Sequence, residues 1–179
     1  MTAPQYPAGP FAPDEHYNDR RRQESIATLE QAPASLRAAV EGLSEAQLDT
    51  RYRNWTVRQI VHHLADSHAN AYVRFKLALT EERPTIKPYD EGRWVALADS
   101  RAGCIDAPLA LLEGLHASWV QLLRGLTEDQ FARTYFHPEM GEEVPLFRAL
   151  GSYAWHSRHH TGQILWLREH HGWGQASSG

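Results

Sequence analysis

The sequence predicts an all-α protein, a four-helix bundle built as two helical hairpins joined by a long crossover. Three observations lead there. Apolar residues recur at helical spacing in four long segments, one capping segment occurs twice at a constant offset, and no alternation of apolar and polar residues competes over a useful length. The chain has 179 residues, 42% hydrophobic and 22% charged, which suits one globular core and is short for two.

The first helix spans Glu24 to Val40, with Ile26, Leu29, Leu36 and Val40 on its apolar side. Pro33 within it is expected to kink or divide it, because proline lacks an amide donor and crowds the preceding turn. Gly42 ends this helix, Leu43 packs back on its last turn, and Ser44-Glu45-Ala46-Gln47 reads as a capping box. Thr56 opens the second helix, whose stripe of Val57, Ile60, Val61, Leu64, His68, Ala71, Tyr72, Phe75 and Leu79 runs to about Thr80. From Glu81 to Ala107 the prolines at 84 and 88 indicate the crossover, with a short helix from Glu91 to Ala98 carrying Trp94. The third helix starts at Pro108 and runs through Leu112, Leu115, Trp119 and Leu123 to Gly125. The fourth opens near Pro145 and continues through Leu146, Leu150, Tyr153, Ile164 and Leu167 to a stop at Gly172.

The repeat joins the halves. Gly42-Leu43-Ser44-Glu45-Ala46-Gln47-Leu48 matches Gly125-Leu126-Thr127-Glu128-Asp129-Gln130-Phe131, and Tyr52 and Tyr135 keep the same offset. The expected organisation is an N-terminal arm over residues 1–20, the bundle over 21–174 and a tail over 175–179. In the arm, the segment Tyr6 to Phe11 is expected to pack on the bundle or on a partner subunit.

Composition removes several function classes. The net charge is -4 and basic residues cluster only at Arg20-Arg21-Arg22, so no face is available to displace counterions from nucleic-acid phosphates. Cys104 is the single cysteine and makes no intramolecular disulfide. No run of about 18 apolar residues implies a membrane span, and Met1 to Pro13 lacks the apolar centre of a signal peptide, so a cytoplasmic location is expected.

The chemistry concentrates in eleven histidines. In Trp155-His156-Ser157-Arg158-His159-His160-Thr161, His156 and His160 stand one turn apart near the edge of the apolar stripe and can grip one ion, whereas His159 turns towards solvent. Two imidazoles seldom make a tight zinc site, so a third belongs on another helix. In the second helix His62 projects away from the stripe, and His63 flanks the core face. His68 lies inside the stripe, where it reads as a hydrogen-bonded core histidine and the alternate third ligand. Three imidazoles with an open fourth position suit a catalytic zinc that activates a water, and imidazole also suits nickel, iron and copper. His116 and the pair His170-His171 read as structural, and Asp66, Ser67, Arg158 and Gln163 read either as groups that support the ligands from behind or, in preference, as a solvated helix face.

Four motifs carry a specific resemblance. Trp55-Thr56-Val57-Arg58-Gln59-Ile60-Val61-His62-His63-Leu64-Ala65-Asp66-Ser67-His68, Arg74-Phe75-Lys76-Leu77-Ala78-Leu79-Thr80-Glu81-Glu82, Pro88-Tyr89-Asp90 and Trp155-His156-Ser157-Arg158-His159-His160 resemble the YfiT group of the DinB-like superfamily, in order, from Ile26 to Trp173. The group often has a Gly-Gly-Trp turn where this chain has Asn54-Trp55. The resemblance implies a DinB-like four-helix bundle and a homodimer. It also implies one divalent metal ion per subunit and places its ligands on His63, His156 and His160; by the chemistry of the imidazole donors zinc is expected foremost and nickel next. The implied activity is metal-dependent hydrolysis of a small-molecule substrate. The superfamily also contains enzymes that transfer low-molecular-weight thiols such as bacillithiol, which makes an S-transferase the second reading and a non-enzymatic metal-binding bundle the third.

Overall fold

The computed structural model describes residues 2–174, and the tail expected at 175–179 lies outside them. Four long helices form the bundle: α1 (Asp19–Val40), α3 (Val57–Thr80), α6 (Asp106–Arg124) and α8 (Leu146–His171). Between α1 and α3 lie the single turn α2 (Glu45–Leu48) and the strands β1 (Arg51–Tyr52) and β2 (Trp55–Thr56). Between α6 and α8 lie α7 (Glu128–Phe131), β3 (Thr134–His137) and β4 (Glu142–Pro145). The crossover from α3 to α6 carries α4 (Glu91–Trp94) and α5 (Ala98–Ala102), the latter packed on α3.

The repeated segment has one structure in both halves. Ser44 and Thr127 each accept from the backbone amide three residues on, and Gln47 and Gln130 return the bond, so both are complete capping boxes. Leu48 and Phe131 are buried after them, as are Tyr52 and Tyr135. Each box then enters an antiparallel pair, β1 with β2 and β3 with β4, that delivers the chain into a long helix. These pairs depart from the purely helical expectation. Their strands have two and four residues, too short for alternation to register in a sequence.

The pairing of helices also differs from two simple hairpins. α1 packs chiefly on α8 and α6, and α3 packs chiefly on α6 and α8, so each long helix lies against those of the opposite half. The capping turn and strand pair after α1 and α6 are long enough to carry the chain across the bundle before the next helix begins. Two apolar clusters fill the interior, one around Phe75, Trp119, Phe131 and Leu150, the other around Leu36, Ile60, Leu64, Leu112 and Ile164. The buried histidines are interleaved with both.

Pro33 does not divide α1, since Asp19–Val40 is one element. α8 stops as expected: Gly172 takes φ 65°, and Trp173 donates its amide to the Arg168 carbonyl at 2.8 Å, closing a Schellman-type cap. The arm lies along α8. Trp155 donates Nε1–H to the Gly9 carbonyl at 2.8 Å, Tyr6 and Phe11 pack on the Trp155 ring, and Pro7 approaches Gly162 so closely that a Cβ there would meet it at 3.0 Å. Of the two places expected for the arm, the bundle is the one it occupies.

Candidate metal centre

α3 and α8 place the three histidines. Thr56 caps α3 by accepting from the Gln59 amide at 3.1 Å, and Gln59 accepts from the Thr56 amide at 3.0 Å while donating Nε2–H to the Val95 carbonyl of the crossover at 2.8 Å. Arg58, buried despite its charge, holds the same end: it donates to Asp49 at 3.0 Å, Glu45 at 2.5 Å and the Gly103 carbonyl at 2.7 Å. His63 follows one turn later. On α8 the four-residue step from His156 to His160 sets the two imidazoles one turn apart and edge to face, with ring centroids 4.5 Å apart.

One ring nitrogen from each of His63, His156 and His160 lies within 4.8 Å of the other two. His63 Nε2 and His156 Nε2 are 3.0 Å apart. Nitrogens around a tetrahedral zinc, bonded at about 2.0–2.1 Å, stand roughly 3.3 Å from one another, so this donor set fits such an ion after a small adjustment. His63 and His160 are buried and His156 is intermediate between buried and exposed. Trp55 forms a wall, 4.5 Å from the His63 ring and stacked at 6.0 Å on His160. A cleft of about 210 Å³ reaches His160 between Trp55, Gln163, Tyr52 and the arm residue Gln5. Larger grooves, of about 640 and 310 Å³, run between α1 and α6 and between α1 and α8, and neither is lined by any of the three histidines.

Burial disfavours the charged form of these imidazoles. His63 and His156 are held well below the ordinary 6.5, first by desolvation and then by neighbouring rings, and His160 is lowered to about 4, again chiefly by desolvation. All three are therefore neutral at pH 7, the form that ligates.

The other sequence-selected residues divide. His68 is fully buried and bonded through both ring nitrogens, to His116 at 2.8 Å and to His156 at 3.3 Å, the core histidine expected of it. His116 is likewise bonded in the interior, and His170 and His171 are exposed at the end of α8. His62 lies outside the cluster, but it is buried and its Nε2 has no partner among the described residues. His159 corrects the expectation of a solvent-facing side chain. It is only 8% exposed, stacked on Trp155 at 4.7 Å and covered by Tyr6 of the arm at 5.9 Å.

Gln163 is the residue for which the sequence favours a solvated face over a role in supporting the ligands, and the structure reverses that preference. It is buried, accepts from His160 Nδ1 at 2.8 Å and donates to His159 Nε2 at 3.0 Å, which orients His160 with Nε2 bare. Its position three residues after His160, on the same face of α8, is the signal that could have found it. Asp66, one turn after His63, is half-buried; burial and then Asp99 raise its carboxyl to about 6.

Known proteins share this arrangement of sequence and fold. Residues 28–164 match the family model described as the DinB superfamily. A Bacillus subtilis protein named "Putative metal-dependent hydrolase YfiT" is 50% identical over 94% of this chain and 96% of its own, and a Bacillus licheniformis protein also named as a "Putative metal-dependent hydrolase" is 48% identical over 94% and 97%. The solved structure of Bacillus subtilis YfiT, described as a probable metal-dependent hydrolase with an unusual four-helix bundle topology, superposes with a TM-score of 0.91 at 49% identity, covering 94% of this chain and 98% of that one. With most of its length matched in both sequence and fold, this chain belongs to the DinB superfamily, in the group of YfiT.

Proposed function

We propose that this protein is a metal-dependent hydrolase of the cytoplasm, a homodimer that holds one divalent ion per subunit through His63, His156 and His160. Zinc is the foremost candidate and nickel the next, because neutral imidazole suits both. The observation that carries the proposal is the convergence of three neutral ring nitrogens within 4.8 Å, with a cleft beside His160 that admits a small molecule. A bound ion would supply Lewis acidity, bringing the pKa of a water in the fourth position towards neutrality.

The chain's own residues have the remaining work. Gln163 fixes the His160 ring, and Trp55 closes one wall against bulk water. Asp66 lies three residues after His63 on α3 with a carboxyl that changes protonation near pH 6, which makes it the candidate to take or return a proton. The printed descriptions of the relatives as metal-dependent hydrolases point the same way.

The test uses the full chain, stripped of metal and reloaded with one equivalent of zinc or nickel, against a panel of activated esters, amides and phosphate esters. Turnover without added thiol that disappears in His63→Ala is expected. Turnover only when bacillithiol and an electrophile are supplied would instead indicate thiol transfer. Tight binding of the ion with turnover in neither assay would indicate a non-enzymatic bundle.

A further inference from the structure

The metal-facing histidines are backed by a line of buried polar groups running across the bundle. His116 Nδ1 lies 2.5 Å from the Leu29 carbonyl, His116 Nε2 lies 2.8 Å from His68 Nδ1, and His68 Nε2 lies 3.3 Å from His156 Nδ1. Leu29 and His68 are fully buried and His116 is 2% exposed, so water cannot substitute for any of these bonds. A carbonyl oxygen only accepts. His116 must therefore carry its proton on Nδ1, which leaves its Nε2 an acceptor. That acceptor requires His68 to carry its proton on Nδ1, and the bare Nε2 of His68 in turn requires the proton of His156 on Nδ1. The direction of the chain follows from its last member, and its consequence is a bare His156 Nε2 beside His63.

The Leu29 carbonyl is free to anchor this chain because of Pro33. In an α-helix a carbonyl accepts from the amide four residues on, and for Leu29 that residue is Pro33, which has no N–H. The proline that ought to disrupt α1 thus leaves one inward-facing acceptor, and His116 of α6 satisfies it.

We propose that His68 and His116 are positioning residues of the metal centre, which, with the Leu29 carbonyl released by Pro33, hold His156 in the tautomer whose bare Nε2 faces the ion. This rests on the three-histidine reading of the site. Removing the His116 acceptor lets the His68 proton move to Nε2, where it opposes the His156 proton and drives it onto the metal-facing nitrogen.

Two measurements on the full chain test the proposal. Long-range ¹H–¹⁵N spectra of the metal-free protein near pH 8, where imidazoles are neutral, should show His116, His68 and His156 all protonated on Nδ1. A proton on His156 Nε2 would overturn the assignment. Zinc Kd, measured by competition with a chelator, should rise about 10–100-fold in His116→Leu. It should return most of the way in His116→Gln, whose amide can donate to Leu29 and accept from His68. Pro33→Ala restores a competing amide, so it should raise the urea midpoint while weakening zinc binding, opposite signs that a purely structural role would not give. Wild-type zinc affinity in both His116→Leu and Pro33→Ala would refute the proposal. Should His116→Leu not fold, Pro33→Ala and the wild-type spectra still decide. Failure of the metal reading is distinct: the wild type would then bind no zinc, whatever its tautomers.

Discussion

His159 and His160 are neighbours with opposite accounts, and the difference shows what local spacing can convey. The step from His156 to His160 is a property of one helix and was legible directly, whereas the burial of His159 depends on Tyr6, more than 150 positions earlier in the chain, folding back over α8. Gln163 was obscured for a related reason, since a glutamine on a helix is usually solvated and only its contacts to His160 and His159 give it a role. Gln163→Leu is expected to raise the zinc Kd about 10–100-fold, and His63→Ala, His156→Ala and His160→Ala each by more, with folding retained because the apolar clusters do not depend on the ion. Chelator competition paired with circular dichroism checks both halves of that statement. The same imidazoles make the metal-free protein acid-sensitive. His63 and His156 sit well below 6.5 and His160 at about 4, so between those values the unfolded chain binds more protons than the native one, and stability falls as pH drops through that window. Asp66 works with the opposite sign, because its carboxyl is raised from 3.8 to about 6: its contribution is complete below 3.8 and lost as pH rises through 6. His62, His68, His116, His137 and His159 are lowered as well, and only Glu91 joins Asp66 among the raised carboxyls, so the balance is a net loss on acidification. A urea midpoint that stays level or rises between pH 6.5 and pH 4 would contradict this.

The elements that position these side chains were legible wherever their signals are local. Thr56, Ser44 and Thr127 cap as their sequences indicate, and Gly172 ends α8. Pro33 is the instructive exception, for its local signal opposes a continuous helix and the group that resolves it, His116, lies on α6. Arg58 was likewise invisible as a structural residue, because its partners Glu45, Asp49 and Gly103 come from α2, the loop after it and the crossover. Arg58→Met should lower stability by roughly 1–3 kcal/mol, since the loss of charged hydrogen bonds strands a carbonyl while both carboxylates remain open to water. Thr56→Ala should cost about 1 kcal/mol. Equilibrium urea unfolding reads both, and losses below about 0.3 kcal/mol in each would show that the start of α3 is held by packing alone.

Across the molecule, four long helices and a bundle were foreseeable from periodicity, but the packing of each helix on those of the opposite half was not, because periodicity gives the apolar face of a helix and not its partner. No helix among the described residues is long and apolar enough to cross a membrane. The proposed homodimer predicts a mass of twice 20.3 kDa by light scattering at micromolar concentrations, and a monomer throughout that range would remove it. The central claim, that α3 and α8 meet in order to hold an ion, is tested most directly by anomalous scattering from zinc-loaded crystals of the full chain. One peak per subunit between His63, His156 and His160, in contact with a nitrogen of each ring, is the predicted result. A site lacking any one of these three ligands, or no peak there despite bound zinc, would contradict it.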